Sequence, residues 1–511
     1  MGRGHVERKL VRPSAALALG IALLLILPAA AFAVLGDFTE PSSSPEPVGK
    51  TSESVVAGDF NEDGHADLVV SNKDSNDLTV LLNDGHGDFT PVASSPTVTG
   101  PWQVVAAKLN ADAHLDLAVA SQTAPADGVV AILLGDGTGN FTPAPTSPVP
   151  IGAVTRNLAA ADLDGDGDQD LAVAKLFPAA VAILLNAGSA NFTQPGTSPE
   201  DAGGNATNVT SVVTGDFNED HATDIAAGSE FSNEIRIYLN DGDEDGDFTG
   251  TSPISGIDGT AMTSGLFDAD GAIDLAIGEG GSKKAAILLG NGSGGFAAAP
   301  TSPEELPGEV RWLVSADFNN DSKPDLAATG GGSPGFAGVL LGNGAGDFTG
   351  PTSSPEVVGS FPTSIAAAPL NGDASVDLAV ANTFGEKANV LLNDFVPESE
   401  PPAEKESQPS SPLVTPPAST LPAPNTKLGV HPGPRVTTKL KKLKVKFGFA
   451  SDVAGATFEC KLDKGSFKPC KSPATFQVKP GKHTFKVRAV ASGGADASPV
   501  TYKFKVVKQK G

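Results

Sequence analysis

From Gly36 to about Asp394 the chain repeats one phrase of roughly 52 residues seven times. The first copy reads Val55-Val56-Ala57-Gly58, then Asp59-Phe60-Asn61-Glu62-Asp63-Gly64-His65-Ala66-Asp67-Leu68, then Leu81-Leu82-Asn83-Asp84-Gly85 and Gly87-Asp88-Phe89. A repeat of this length built from short β-like runs cannot bury a core alone, so neighbouring copies must pack together as a propeller or a solenoid.

The acidic phrase starts at Asp59, Lys108, Asp162, Asp216, Leu266, Asp317 and Pro369, about 50 residues apart. Each copy holds four short strands. The first uses slim residues, as in Leu158-Ala159-Ala160-Ala161 and Ile365-Ala366-Ala367-Ala368, which suits a strand crowded around a central axis. The second leaves the acidic loop as Asp followed by Leu or Ile. The third ends at Asn-Asp-Gly or a relative of it, whose residues supply the positive φ of tight hairpin turns. The fourth begins at Phe89, Phe141, Phe192, Phe248, Phe296 or Phe348 and runs to a Ser-Pro corner, where an outer strand tolerates Pro.

The seventh copy has no fourth strand, because Leu391-Leu392-Asn393-Asp394 runs into Phe395 and a Pro-rich stretch. The missing piece stands near the start as Gly36-Asp37-Phe38-Thr39, followed by Ser43-Ser44-Pro45. Residues 35–48 are expected to complete the last blade and close a ring, which removes free sheet edges. The pattern D-F-N-x-D-G-x-x-D-L with L-L-N-D-G-x-G-x-F resembles the FG-GAP (VCBS-type) repeat of integrin α-chain propellers and secreted bacterial proteins. The resemblance covers about 360 residues.

Within each loop, acidic residues at alternate positions suit a hard cation that takes six to eight oxygens. Four loops are complete. They offer Asp59, Asn61, Asp63, the carbonyl of His65 and Asp67; Asp162, Asp164, Asp166, Asp168 and Asp170; Asp216, Asn218, Asp220, the carbonyl of Ala222 and Asp224; and Asp317, Asn319, Asp321, the carbonyl of Lys323 and Asp325. About four Ca2+ ions are therefore expected, the third loop being the most acidic. The loops starting at Lys108, Leu266 and Pro369 lack the first ligand and are expected to hold none, with Lys108 bridging Asp112 or Asp116 in the metal's place. The resemblance to integrins implies that the ions are structural and lie on one face of the disc. An EF-hand begins similarly but needs a Glu at position 12, where the first loop has Val70.

Other strings are turns. Gly290-Asn291-Gly292-Ser293-Gly294-Gly295 satisfies a dinucleotide fingerprint but precedes no helix, and Gly331-Gly332-Ser333-Pro334-Gly335 satisfies a nucleophile-elbow string in a strand-to-strand loop. No nucleophile and base are brought together by the repeat, so the chain is not read as an enzyme. Six residues before each loop stand Glu53, Trp102, Arg156, Thr210, Thr260, Arg311 and Thr363. They should ring the channel mouth opposite the ions, and Trp102, Arg156, Arg311 and Trp312 are the candidate ligand contacts.

Outside the repeats, Arg3, Arg8, Lys9 and Arg12 precede an apolar run from Ala15 to Leu27 and then Ala31-Phe32-Ala33, the pattern of a signal peptide over residues 1–33. No later segment is apolar enough to span a bilayer. The propeller is assigned to 34–395 and a Pro-rich spacer to 396–430. Residues 431–511 carry 18 Lys and Arg against four acidic residues, leaving 17 basic and 56 acidic elsewhere. The acidic part does not bind nucleic acid through its phosphates. In the basic part Leu443, Val445 and Phe447 alternate with Lys442, Lys444 and Lys446, as in half-buried strands of a small β-sandwich. Cys460 and Cys470 are expected to pair outside the cytoplasm. The segment Phe458-Glu459-Cys460-Lys461-Leu462-Asp463 to Cys470, with Gly481-Lys482-His483-Thr484-Phe485, resembles Ig-like modules of secreted bacterial proteins, which implies a structural disulfide and a stalk or attachment role.

The expectation is an all-β chain: a seven-bladed β-propeller, a Pro-rich linker and an Ig-like β-sandwich. It would be secreted or surface-associated and calcium-binding, and would recognise an extracellular protein or glycan, with an anionic cell-wall polymer as a partner of the basic module. The alternatives are a propeller lectin and a polysaccharide lyase or hydrolase on the same scaffold.

Overall fold

The computed structural model describes residues 38–124, 127–201, 208–242, 246–350, 355–393, 426–428, 435–438, 441–451, 457–464, 467–472, 474–491, 494–495 and 500–508. The expected signal peptide and most of the expected spacer lie outside the described residues. Two compact units divide at Ala403 and Glu404.

In the first unit each repeat is one antiparallel sheet, and seven sheets form among the described residues. Strands begin where the motif places them: the second strands at Asp67, Asp116, Asp170, Asp224, Asp274, Asp325 and Asp377, the fourth at Phe89, Phe141, Phe192, Phe248, Phe296 and Phe348. Every residue of the second strand Asp67–Asn72 is buried, as in Asp170–Lys175 and Asp224–Ser229. A strand covered on both faces has no polar face to alternate, which is why the residues after the Asp read as Leu, Val, Ile and Ala before the strand ends.

Seven hydrophobic clusters occupy the seven junctions between neighbouring blades. One packs Val55, Leu68 and Leu81 of the first blade against Leu370, Ala379 and Val390 of the seventh. The ring is thus closed by side-chain packing while each ladder stays within its own blade. The expected closing strand is present: Phe38 and Thr39 pair with Asn393 and Leu392, and Glu46 and Pro47 with Ala388 and Lys387.

The Ser-Pro corner does more than end the fourth strand. Beyond it the chain pairs again with the third strand, as Val149–Pro150 does with Val129 and Val130. At the corner the serine hydroxyl takes the place of a ladder carbonyl. Ser44, Ser147, Ser198 and Ser302 accept the amides of Val390, Ile132, Ile183 and Ile287 at 2.8–2.9 Å, so no buried amide is left unpaired where the ladder breaks.

In the second unit the strands Thr457–Leu462, Gly481–Ala491 and Val500–Lys508 share one sheet, and Leu443–Phe447 pairs with Ala474–Val478. Val445 and Phe447 are buried while Lys444 and Lys446 are exposed, as the alternation requires. Phe447 stacks on Phe485 with centroids 3.9 Å apart, and Cys460 and Cys470 form a disulfide. One boundary needs correction. Thr426–Leu428 pairs with Phe449–Ser451 although it falls inside the expected spacer, because its Thr and Leu fit a strand that the surrounding Pro-rich composition conceals.

Candidate functional site

Two places in the first unit carry chemistry: the acidic loops between first and second strands, and the start of the innermost strands.

The loops assign different work to residues of one type. The ninth residue (Asp67, Asp116, Asp170, Asp224, Asp274, Asp325, Asp377) is completely buried in all seven loops. One of its oxygens accepts the amide of the second loop residue and the other accepts an amide at the end of the third strand. For Asp67 these are Phe60 at 3.0 Å and Asn83 at 2.8 Å; for Asp325, Phe318 and Gly342, both at 2.8 Å. Burial pushes Asp170 and Asp325 up to about 7 and Asp67, Asp224 and Asp377 to about 6, against the lowering effect of these amides. The ninth residue therefore acts first as a clamp between strands, in loops with and without a complete set of oxygens.

The first, third and fifth residues turn toward one another. In the third loop the carboxylates of Asp162, Asp164 and Asp166 offer oxygens that all lie within 4.8 Å of one another, and Asp170 lies outside that group. Burial raises Asp164, and the charges of Asp166 and Asp162 add to the rise. In the other complete loops the first carboxylate accepts two loop amides: Asp59 those of Asp63 and Gly64, Asp216 those of Asp220 and His221, Asp317 those of Asp321 and Ser322. The side-chain oxygens of Asn61, Asn218 and Asn319 accept the fifth-residue amides. The fifth carboxylate accepts the seventh amide, from His65, Asp168, Ala222 and Lys323 respectively.

The same fifth-to-seventh bond forms in the incomplete loops, from His114 to Asp112, Ala272 to Asp270 and Ser375 to Asp373. Loops with Lys108, Leu266 or Pro369 in first place thus fold without the first carboxylate. Where it is present it crowds negative charge that folding does not need, and a hard cation relieves that crowding. The oxygen donor set fits Ca2+.

Two lysines depart from expectation. Lys108 is exposed and forms no ion pair among the described residues, because Asp116 is already occupied by the amides of Leu109, Asn110 and Gly135. The ammonium that does enter a loop is Lys323, whose Nζ lies 3.2 Å from Asp321 Oδ2 in one of the four complete sets.

At the other end of the innermost strands, Glu53, Trp102, Arg156, Arg311 and Thr363 each sit at a break in register with the second strand. A bulge turns its extra residue out of the alternation; here Arg156 and Arg311 are exposed, while Trp102 still packs in part against the cluster between the second and third blades. The three threonines bond to carbonyls or a carboxylate: Thr210 to Gly228 and Gly259, Thr260 to Asp258, Thr363 to Ser52. Of the other four, Glu53, Trp102 and Arg156 cluster with Lys73. Lys73 Nζ lies 3.8 Å and Arg156 Cζ 4.2 Å from the centroid of the Trp102 ring, and Lys73 Nζ is 3.8 Å from Glu53. The indole, a candidate ligand contact in the sequence, is therefore a seat for cations. Burial pushes Glu53 up to about 6, opposed by Lys73, Arg156 and Arg311.

Below the mouth is a cavity of about 270 Å³. Gln103, Asn157, Ser211, Thr263, Ser264 and Trp312 line it. Tyr238, the one tyrosine of the repeats, is buried in a third strand with its hydroxyl on the Asp201 carbonyl at 3.1 Å.

Residues 59–119, 108–173, 267–328 and 317–380 match the family described as FG-GAP-like repeat. Each matched unit runs from one acidic loop into the second strand of the following blade. No curated protein matches the chain. Among solved structures it is similar to BBS1N, crystallised in complex with ARL6DN and soaked with lead, at 11% identity, over 70% of this chain and 97% of that one, with a TM-score of 0.47.

Proposed function

We propose that this FG-GAP-like repeat protein is a secreted or surface-associated recognition or adhesion protein whose loops starting at Asp59, Asp162, Asp216 and Asp317 hold structural calcium. The convergence of the Asp162, Asp164 and Asp166 carboxylates carries the metal assignment. The first, third and fifth residues of each complete loop would hold the ion, with the carbonyl of the seventh. The ion would neutralise them, and the ninth carboxylate would tie the loop to the third strand. Isothermal calorimetry with the purified repeats tests this: saturable calcium binding that Asp166→Asn weakens supports it, and absence of heat at millimolar calcium refutes it.

Recognition rests on the bulged residues of the mouth, of which Arg156 and Arg311 are exposed. The basic C-terminal unit, read as an Ig-like stalk, would attach the protein to an anionic wall polymer through its exposed lysines. Retention on isolated envelopes that salt does not reduce would refute that attachment.

A further inference from the structure

Arg156 and Arg311 come from the third and sixth blades, and each immediately precedes a residue that lines the cavity, Asn157 and Trp312. Two blades thus bring a guanidinium next to that cavity. Both arginines are exposed, and neither guanidinium has a hydrogen-bond or ion-pair partner among the described residues. In a chain of formal net charge −25, two unpaired guanidiniums at one place are a local exception. A planar fork of donors matches a carboxylate better than any other cationic side chain does.

The cavity beneath adds the second half of a recognition surface. Gln103 and Asn157 each use their side-chain oxygen to accept the amide of the next innermost strand, from Leu158 at 2.6 Å and Val212 at 2.8 Å. Their NH2 groups are left without a partner among the described residues, and both side chains line the cavity. With Thr263 they present amide donors and a hydroxyl, Ser211 and Ser264 donate to the carbonyls of Gly259 and Thr214 and so offer their oxygens as acceptors, and Trp312 supplies an aromatic surface. Such a lining suits a polyhydroxylated ring. At about 270 Å³ the space falls just under the ~300–1,000 Å³ of sites that enclose a drug-sized ligand, so it takes one sugar unit and not a chain.

We propose that the channel mouth binds a carboxylated sugar unit at the end of a glycan, its carboxylate between Arg156 and Arg311 and its hydroxyls on Gln103 and Asn157. This rests on the recognition reading above and specifies its ligand. Lys73 and Arg156 packed on Trp102 hold the positive edge in place, since the face of an indole attracts cations. The acidic surroundings repel a long polyanion, and this favours a single terminal acid.

The test is calorimetric titration of the full chain in calcium with oligosaccharides ending in glucuronic acid and with the matching glucose-terminated ones. The acid is expected to bind at least tenfold more tightly. Arg156→Gln and Arg311→Gln should each remove most of that preference, the second without changing the melting temperature. Arg236→Gln, which removes the same charge from an outer third strand, should leave it intact. Equal affinity for the acidic and neutral sugars, loss as large in Arg236→Gln, or affinity for succinate matching that for the acidic sugar would each overturn the proposal. Binding of some other glycan or protein unaffected by the two mouth variants would overturn this site while leaving the recognition reading standing. Failure of every ligand on a glycan and protein array would remove both.

Discussion

The side-chain amide of Asn83, in the first blade, donates to the main-chain carbonyl of Leu370, in the seventh, at 2.8 Å. The same latch recurs where a blade's third strand ends in Asn: Asn186 to Leu109, Asn240 to Leu163 and Asn393 to Phe318. The remaining three third strands end in Gly, and there a turn amide takes over, from Gly139 to Phe60, Gly294 to Phe217 and Gly346 to Phe267. All seven junctions thus satisfy the carbonyl of the second loop residue, by one donor or the other, and at Leu109 by both, since the turn amide of Ala190 joins Asn186 there. The choice follows the size of that residue. In the three Gly junctions it is Phe, and its ring meets the fourth-strand Phe of the next blade edge-on at 5.4–5.6 Å. Three of the four Asn junctions have Leu there; Phe318 is the exception, with Phe38 at 6.3 Å.

Asn83→Ala leaves the Leu370 carbonyl, and the Ala66 carbonyl that Asn83 also binds, without this donor at the junction that closes the ring. The expected loss is about 1–3 kcal/mol, the cost of an unsatisfied buried polar group. Equilibrium unfolding of the purified repeats measures it. Asn83→Asp should be worse, because it sets a charge against two carbonyls.

Calcium should raise the melting temperature of the repeats and EDTA should lower it, since only the folded loops gather the oxygens. At a free concentration a hundred times the dissociation constant each site contributes about 2.7 kcal/mol. Asp162→Asn is expected to weaken the response most, as the third loop crowds three carboxylates. Lys323→Ala is expected to strengthen binding at the sixth loop by removing the ammonium from Asp321. Differential scanning calorimetry with graded calcium follows both.

Much of this architecture is legible in the chain because it is local or periodic. Hairpin turns, the Phe at each fourth strand and the displaced closing strand follow from residues close in sequence or from the shared period. The Cys460–Cys470 bridge follows from having two cysteines and nothing else to pair. What escapes is set by neighbours a blade away. Nothing in D-x-D-x-D-G-x-x-D distinguishes Asp67 from Asp63, yet burial under the third strand makes one a clamp. The Asn-or-Gly choice at the third strand is visible in sequence, but its meaning appears only when Asn83 is seen beside Leu370. Likewise Trp102 reads as a free aromatic until Lys73 and Arg156 are found on its ring.

Glu200 gives a pH signature that is separate from the loops. Burial first, with the charge of Asp247 adding, pushes its carboxyl up to about 7 from 4.5, and its Oε1 is buried without a partner. The folded state therefore holds a proton that the unfolded state releases between pH 4.5 and 7. Stability contributed by the neutral form is lost as pH rises through that window. Glu200→Gln should be more stable than the parent above pH 7, by on the order of 1–2 kcal/mol after allowing for partial exposure. Below pH 4.5 the two should coincide. Melting curves from pH 4 to 8 decide it, and a difference that does not change with pH would refute the assignment.

Gly342 tests the second kind of latch. A Cβ at this position would lie 2.2 Å from the main-chain carbonyl oxygen of Pro324, an approach that real atoms do not make. The equivalent glycines Gly135 and Gly290 would meet the carbonyls of Leu115 and Ile273 at 2.2 and 2.3 Å. In the Asn blades the corresponding carbonyl is instead bound by the amide, as Ala66 is by Asn83. Gly342→Ala must therefore push two strands apart or break the bond from the Gly342 amide to Asp325 at 2.8 Å. A loss of about 1–3 kcal/mol is expected, typical of overpacking in a full interior. Gly342→Asn should fare no better, although Asn is the residue used at four other junctions, because the Phe267–Phe348 contact fills the space its side chain would need. Replacing Phe267 by Leu in the same chain should then recover part of the loss for Asn and little of it for Ala. Denaturant unfolding of the two single and two double variants separates these outcomes, and equal recovery for Ala and Asn would show that the size of the second loop residue does not govern the latch.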